Sequence, residues 1–337
     1  MNRLLEKDIK EFVESFELSN SLNDSHVLVT GATGLIGSTL IHCLFALCQN
    51  IKVIAPVRNI DKAREKVGKY DGLQLVKCNL ETSDFTQFGN VDYIIHCAAP
   101  TSSKYFVDYP VETFSSIVKI TDNILKYARQ IECKSMVYLS SLEVYGQVLD
   151  DTKPVTEDMQ GYLDPINVRS SYPMAKRAAE NLCCLYAYEY GIPVKIARLT
   201  QTMGVGCDPL DNRVIAQFVR LAAKGKDIIL RTTGESARPY CYTIDAVRAI
   251  LYILLKGANG KAYNVANEET YISARDMAEY LKLMVNNKIS VKYDIKDSNE
   301  YSPITKLRLS TEMLNNLGWT PMYDKESIFR KLINYFS

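Results

Sequence analysis

Short apolar runs recur along the first part of the chain: HVLVT (26–30), KVIAPV (52–57), LQLVK (73–77), DYIIH (92–96), SMVYL (135–139) and VKIARL (194–199). Runs of this length with little polar alternation are how strands buried on both faces of a parallel sheet read. Most are separated by stretches of helical spacing, and that alternation predicts a doubly wound α/β sheet with right-handed crossovers. Ligands of such sheets bind at the carboxyl ends of the strands. After about residue 200 the rhythm loosens, with helices expected near 211–224, 243–256 and 273–286 and shorter strands between them.

Three segments follow: an N-terminal helical extension (1–24), a Rossmann-type dinucleotide-binding domain (25–200) and a smaller C-terminal α/β substrate lobe (201–337). No Pro/Gly linker separates the last two, so that boundary is soft. In MNRLLEKDIKEFVESF, residues Leu5, Ile9, Phe12, Val13 and Phe16 mark one face of an amphipathic helix, expected to pack on the domain or on a partner. Its interspersed acids and lysines fit neither a signal peptide nor a membrane span.

Composition adds limits. With 337 residues, 47% of them apolar, the chain can bury a full core. Forty basic against thirty-nine acidic residues leave a net charge of +1, which favours neither nucleic acid nor an anionic membrane as partner. Anion binding must therefore be local. The nine cysteines show no CxxC pair, no metal site is expected, and Cys183-Cys184 lie in an apolar helical run as buried free thiols. That usage fits a reducing cytoplasm.

The candidate chemistry begins at TGATGLIG (30–37), directly after one apolar run and before the helical STLIHCLFALC. Gly31, Gly34 and Gly37 allow a tight turn and let backbone N–H groups approach a pyrophosphate at the helix N-terminus. The second run ends PVRN, without the acid that would bind the adenosine ribose hydroxyls. Arg58 could meet a 2′-phosphate or simply face solvent, so NAD and NADP both stay open.

A second constellation joins YLSSLEVYG (138–146) to SSYPMAKRAAENL (170–182). Tyr172 and Lys176 sit one helical turn apart, which lets the ammonium reach the space beside the phenol. An ammonium and a positive nicotinamide would lower the phenol's pKa and make it a base near neutral pH. Ser141, at a strand end on the ligand side, can orient the same substrate hydroxyl.

Residues 26 to about 336 resemble the extended short-chain dehydrogenase/reductase superfamily, in its nucleotide-sugar epimerase/dehydratase branch, with TGATGLIG, HCAAPTSS, SSLEVYG, YPMAK, GESARPYCYTIDAV and LGWTP in the expected order. The resemblance implies Ser141, Tyr172 and Lys176 as the catalytic set. It implies Gly31, Thr33, Gly34, Leu35, Ile36, Gly37, Arg58, Ala98, Tyr172 and Lys176 at the cofactor, and Ser141, Gln201, Arg213 and Arg238 at the substrate, with Arg238 on its diphosphate. Ser141-Leu142-Glu143 matches the Thr/Ser-x-Glu string of sugar-nucleotide 4,6-dehydratases and UDP-glucuronate decarboxylases, which makes Glu143 catalytic. Leu142 stands where one group of dehydratases has an aspartic acid.

LDPINVRSSYPMAKRAAE is similar to NPIGxRxxYxxxKRxxE of the decarboxylases, and Arg213 falls where they carry a substrate-facing arginine. Phe106 stands where their loop is expected to show a tyrosine, with Tyr105 adjacent, and Gln201 replaces the usual Asn of RxFNxxG. The implied activity is transient C4 oxidation of a sugar nucleotide, with decarboxylation favoured. Dehydration, C4 epimerisation, net NADPH-dependent reduction and silent dinucleotide binding remain as alternatives. A homodimer through helices near 111–130 and 171–190 and a setting in cell-surface polysaccharide synthesis are also implied.

Overall fold

The computed structural model describes residues 2–295 and 304–337. In chain order its strands are β1 (His26–Thr30), β2 (Lys52–Val57), β3 (Leu73–Lys77), β4 (Tyr93–His96), β5 (Ser135–Ser141), β6 (Val194–Leu199), β7 (Gln201–Met203), β8 (Ile228–Leu230), β9 (Ala237–Tyr242), β10 (Ala262–Val265), β11 (Asn267–Ser273) and β12 (Val291–Tyr293). Its helices are α1 (Arg3–Ser15), α2 (Leu35–Leu47), α3 (Ile60–Val67), α4 (Ser103–Asp108), α5 (Pro110–Gln130), α6 (Ser171–Tyr190), α7 (Val214–Ala223), α8 (Thr243–Lys256), α9 (Ala274–Met284), α10 (Glu312–Asn315) and α11 (Lys325–Phe336).

Seven strands form one parallel sheet in the order β10-β6-β5-β4-β1-β2-β3. Their side chains divide between two cores, as the alternation of a strand requires. Val27, Val29, Val53 and Ala55 pack with α2 and α8 on one face, and Leu28, Ile54, Ile94 and Met136 pack with α5 and α6 on the other. Burial on both faces is why these strands read as continuous apolar runs. The doubly wound α/β class expected from the sequence is the one observed.

Chain order and layers do not coincide. Helix α8 and strand β10 both lie beyond residue 200, yet they complete the parallel layer and its covering helices. The remaining strands form a three-stranded sheet, β11-β9-β7, and a β12-β8 pair. Helix α7 starts at Val214, later than the expected 211, because Asp211 turns back to accept from the Arg213 backbone and guanidinium. Cys183 is buried as anticipated, whereas Cys184 is half-buried; its thiol points at the Gly260 carbonyl at 3.7 Å.

Helix α1 packs on α2 and α8 of its own chain. Asn2 caps it by accepting from the Leu4 N–H, and Ile9 and Phe12 enter the core, each contributing about 1.5–3 kcal/mol of burial. On its polar side Asp8 is only 2% exposed, accepts from the Tyr242 hydroxyl and pairs with Lys331 at 2.7 Å.

Candidate active site

The turn after β1 is built around close backbone approach. Gly31 has φ +70°, and a Cβ there would stand 2.9 Å from both the Ala98 nitrogen and the Cys97 carbonyl carbon. A Cβ on Gly37 would collide with the Gly31 carbonyl oxygen. Gly34 caps α2, and its N–H donates to Gly31 at 2.9 Å. The first-turn N–H groups of Leu35, Ile36 and Gly37 have no earlier helical carbonyl to meet, and the helix dipole adds positive potential there. Thr33 and Gly34 are exposed at this mouth.

The neighbouring strands complete this end of the sheet. Ala98, just past β4, donates to the Thr30 hydroxyl at 3.1 Å, and Thr30 also meets His96 Nδ1 at 2.8 Å. Burial, with the Lys176 charge second, pushes His96 down to about 3, so the imidazole is neutral and serves to pin β1 to β4. Arg58 is exposed directly beyond β2, the strand paired with β1.

Strand β5 runs two residues past the expected SMVYL, which carries Ser141 to the sheet's carboxyl end opposite Leu199. There Ser141 caps a short turn by accepting from the Glu143 N–H at 3.3 Å, and its hydroxyl hydrogen-bonds the Tyr172 phenol. Tyr172 lies in the first turn of α6, and Lys176 lies one turn on. The Lys176 ammonium donates to the Leu139 carbonyl at 2.7 Å, and burial, against the nearby Glu180 charge, brings its pKa down to about 8.

Burial first and the Glu143 charge second raise the Tyr172 pKa, and only the Ser141 hydrogen bond opposes them. The Lys176 ammonium is turned to a backbone carbonyl and not to the phenol. The Phe106 ring lies flat against it, with centroids 4.1 Å apart and planes 8° apart.

Glu143 is exposed on the short turn after β5, yet its carboxyl stands among crowding neighbours. Crowding raises its carboxyl pKa, while Arg238 first and Arg169 second pull it down. Arg238 stands on β9, and Tyr240, two residues on, has its phenol pushed up to about 12 by burial against the pull of Arg238 and Arg213. The two expected substrate arginines therefore converge near Tyr240. Arg213 is already engaged, chelating Asp211 at 2.6 and 2.9 Å and donating to the Thr202 carbonyl at 3.0 Å. Gln201 pairs with Tyr240 across β7 and β9, and its Oε1 is buried without a hydrogen-bond partner among the described residues.

Two residues at this site were not singled out by the sequence reading. Arg169 was present in the PINVR string, and Tyr240 shares a strand face with Arg238.

Residues 27–266 match the NAD dependent epimerase/dehydratase family. The chain belongs to that family. It is 30% identical over 303 residues to UDP-glucuronic acid decarboxylase 6 of Arabidopsis thaliana, covering 89% of this chain and 85% of that protein. Among solved structures, UDP-glucose 4-epimerase of Thermotoga maritima superposes with a TM-score of 0.79 at 22% identity, over 92% of this chain and 98% of that one. UDP-glucuronic acid 4-epimerase of Bacillus cereus, in complex with NAD, gives 0.76 at 19% identity, over 92% and 98%.

Family membership makes NAD the cofactor, and the residues present fit it. Gly31 and Gly37 leave a cradle that any side chain would close, at the N-terminus of a 13-residue helix. Among the described residues no helix is long and apolar enough to cross a membrane.

Proposed function

We propose that the protein is a sugar-nucleotide decarboxylase acting through transient oxidation at C4, with UDP-glucuronate as the substrate type. The observation that carries this reading is the meeting of Glu143 with Arg238 and Arg169 beside Ser141 and Tyr172. Two guanidinium groups beside one carboxylate suit a substrate with two anionic ends, a diphosphate and a sugar carboxylate. The Arabidopsis relative bears that activity in its name.

In this reading Ser141 orients the C4 hydroxyl and Tyr172 takes its proton as the C4 hydride departs. Gly31, Gly34 and Gly37 would hold NAD, which would supply a hydride acceptor and a positive charge beside the buried phenol. Lys176, fixed on Leu139, holds a second positive charge nearby. The resulting C4 ketone makes the C6 carboxylate a β-keto acid. The C5–C6 bond breaks, carbon dioxide leaves, and the electron pair stays on the sugar as a C4 enolate that takes a proton at C5. Glu143 sits at the carboxylate end and organises that proton donor, with Arg238 on the diphosphate. Hydride return to C4 and proton return from Tyr172 restore the hydroxyl.

Incubating the purified protein with a panel of nucleotide sugars tests this. UDP-glucuronate should yield carbon dioxide and a pentose nucleotide. A 4-keto-6-deoxy product from a neutral hexose nucleotide would replace the reading with dehydration, and a C4 epimer alone would replace it with epimerisation.

The proposal extends to a homodimer built on α5 and α6, which pack on each other and leave Val111, Phe114, Leu185 and Tyr188 exposed, the last at 93%. Sedimentation at monomer mass would remove it. A cytoplasmic setting and supply of precursors to cell-surface polysaccharide belong to the same reading.

A further inference from the structure

Helix α4 turns one large side chain inward. Tyr105 and Val107 face solvent while Phe106 is 7% exposed, packed in the core that also holds Tyr172 and Tyr138. Its backbone is held as well as its ring. The Phe106 N–H donates to the Ser102 carbonyl at 3.2 Å, and its own carbonyl accepts from the Ser171 hydroxyl at 3.1 Å. Successive residues of α6, Ser171 and Tyr172, thus grip the carbonyl and the ring of one phenylalanine.

A phenol's O–H lies in the plane of its ring, because the oxygen is conjugated with it. Fixing the plane therefore aims the proton and the in-plane lone pair. Lys176 does not fix it, since its Nζ is 5.8 Å from the ring centre and committed to Leu139. Ser141 holds the oxygen, and the flat Phe106 ring at 4.1 Å holds the face.

We propose that Phe106 is a positioning residue for Tyr172: stacked on the phenol, it sets the ring plane and keeps water from that face, so that proton transfer at the phenol oxygen starts from one geometry. This rests on the reading of Tyr172 as the base. It gives the aromatic ring at position 106 a task that needs no hydroxyl, which a wall residue contacting substrate would not share.

The test uses Phe106→Leu and Phe106→Met, which keep apolar bulk without a flat ring, and Phe106→Tyr, which keeps the ring. The readout is single-turnover appearance of reduced nicotinamide across pH, with the nucleotide sugar from the panel that the wild type oxidises. Both aliphatic variants should lose about 10- to 100-fold in that rate at unchanged KM, as misplacement of a reacting group does. Their acid limb should move to lower pH, because water reaching the phenol favours its ionised form. Phe106→Tyr should restore rate and profile. Wild-type rate and profile in both aliphatic variants would overturn the proposal, as would a raised KM at unchanged first-turnover rate. Tyr172→Phe, run alongside, separates the two claims: if it still oxidises the sugar, the base assignment fails whatever the Phe106 variants do.

Discussion

The Lys176 ammonium is bonded to the carbonyl of Leu139, 2.7 Å away, and not to the phenol of its helical neighbour Tyr172. Strand β5 therefore fixes the charge 5.8 Å from the centre of the Tyr172 ring.

If Lys176 serves the reaction, that placement makes its charge, and not a proton relay, the contribution. With a pKa brought to about 8, the group is charged below that pH and loses its charge as pH rises through it. First-turnover oxidation should fall on an alkaline limb near pH 8. Lys176→Ala should slow the step by about 100-fold and lose this limb, with weaker NAD binding by titration. A limb that persists in Lys176→Ala belongs to another group.

Glu143→Gln removes a carboxylate at nearly constant volume. If Glu143 serves the second half of the reaction, C4 oxidation persists and reduced-nicotinamide absorbance accumulates without final product. Normal turnover would return Glu143 to being a loop carboxylate that happens to face Arg238 and Arg169.

Arg238→Ala should raise KM for the nucleotide sugar by the equivalent of about 2–5 kcal/mol, as loss of a buried charge-assisted contact does, and leave NAD affinity unchanged. Isothermal titration of each ligand separates the two effects. An unchanged KM would place Arg238 outside the diphosphate contact.

Asp245 offers a stability test remote from the reaction. Its Oδ1 accepts from the Met322 N–H at 2.7 Å, its Oδ2 is buried without a partner among the described residues, and burial raises its pKa to about 7. The unfolded chain ionises this group near pH 4, so between about pH 4 and 7 the native state binds the extra proton. Its contribution is most favourable at low pH and is lost as pH rises through 7. Asp245→Asn should flatten that dependence and stabilise the protein above pH 7, by at most about 4 kcal/mol, measured by denaturant melts at several pH values.

Local pattern made part of this molecule readable. Helix α8 was located to the residue, Thr243–Lys256, because an apolar run begins after one strand and stops at Gly257. Gly31 and Gly37 were readable because backbone crowding admits no side chain there. The start of α7 was not, since the Asp211–Arg213 pair competes with helix geometry and no periodicity reports it. The approach of Arg169 and Arg238 to Glu143, and the stacking of Phe106 on Tyr172, join segments distant in sequence. The Leu139 acceptor is a backbone atom, which residue identity does not encode. Which carbonyl an ammonium meets depends on segments that only the fold brings near.

The passage from β6 to β7 uses a single residue, Thr200, while β10 returns from far along the chain to pair with β6. For anyone recombining lobes among relatives, a splice at residue 200 is thus a poor choice. It would strip β10 from β6 and leave an unprotected edge that invites aggregation, so a viable chimera must carry 262–265 with the first part of the chain.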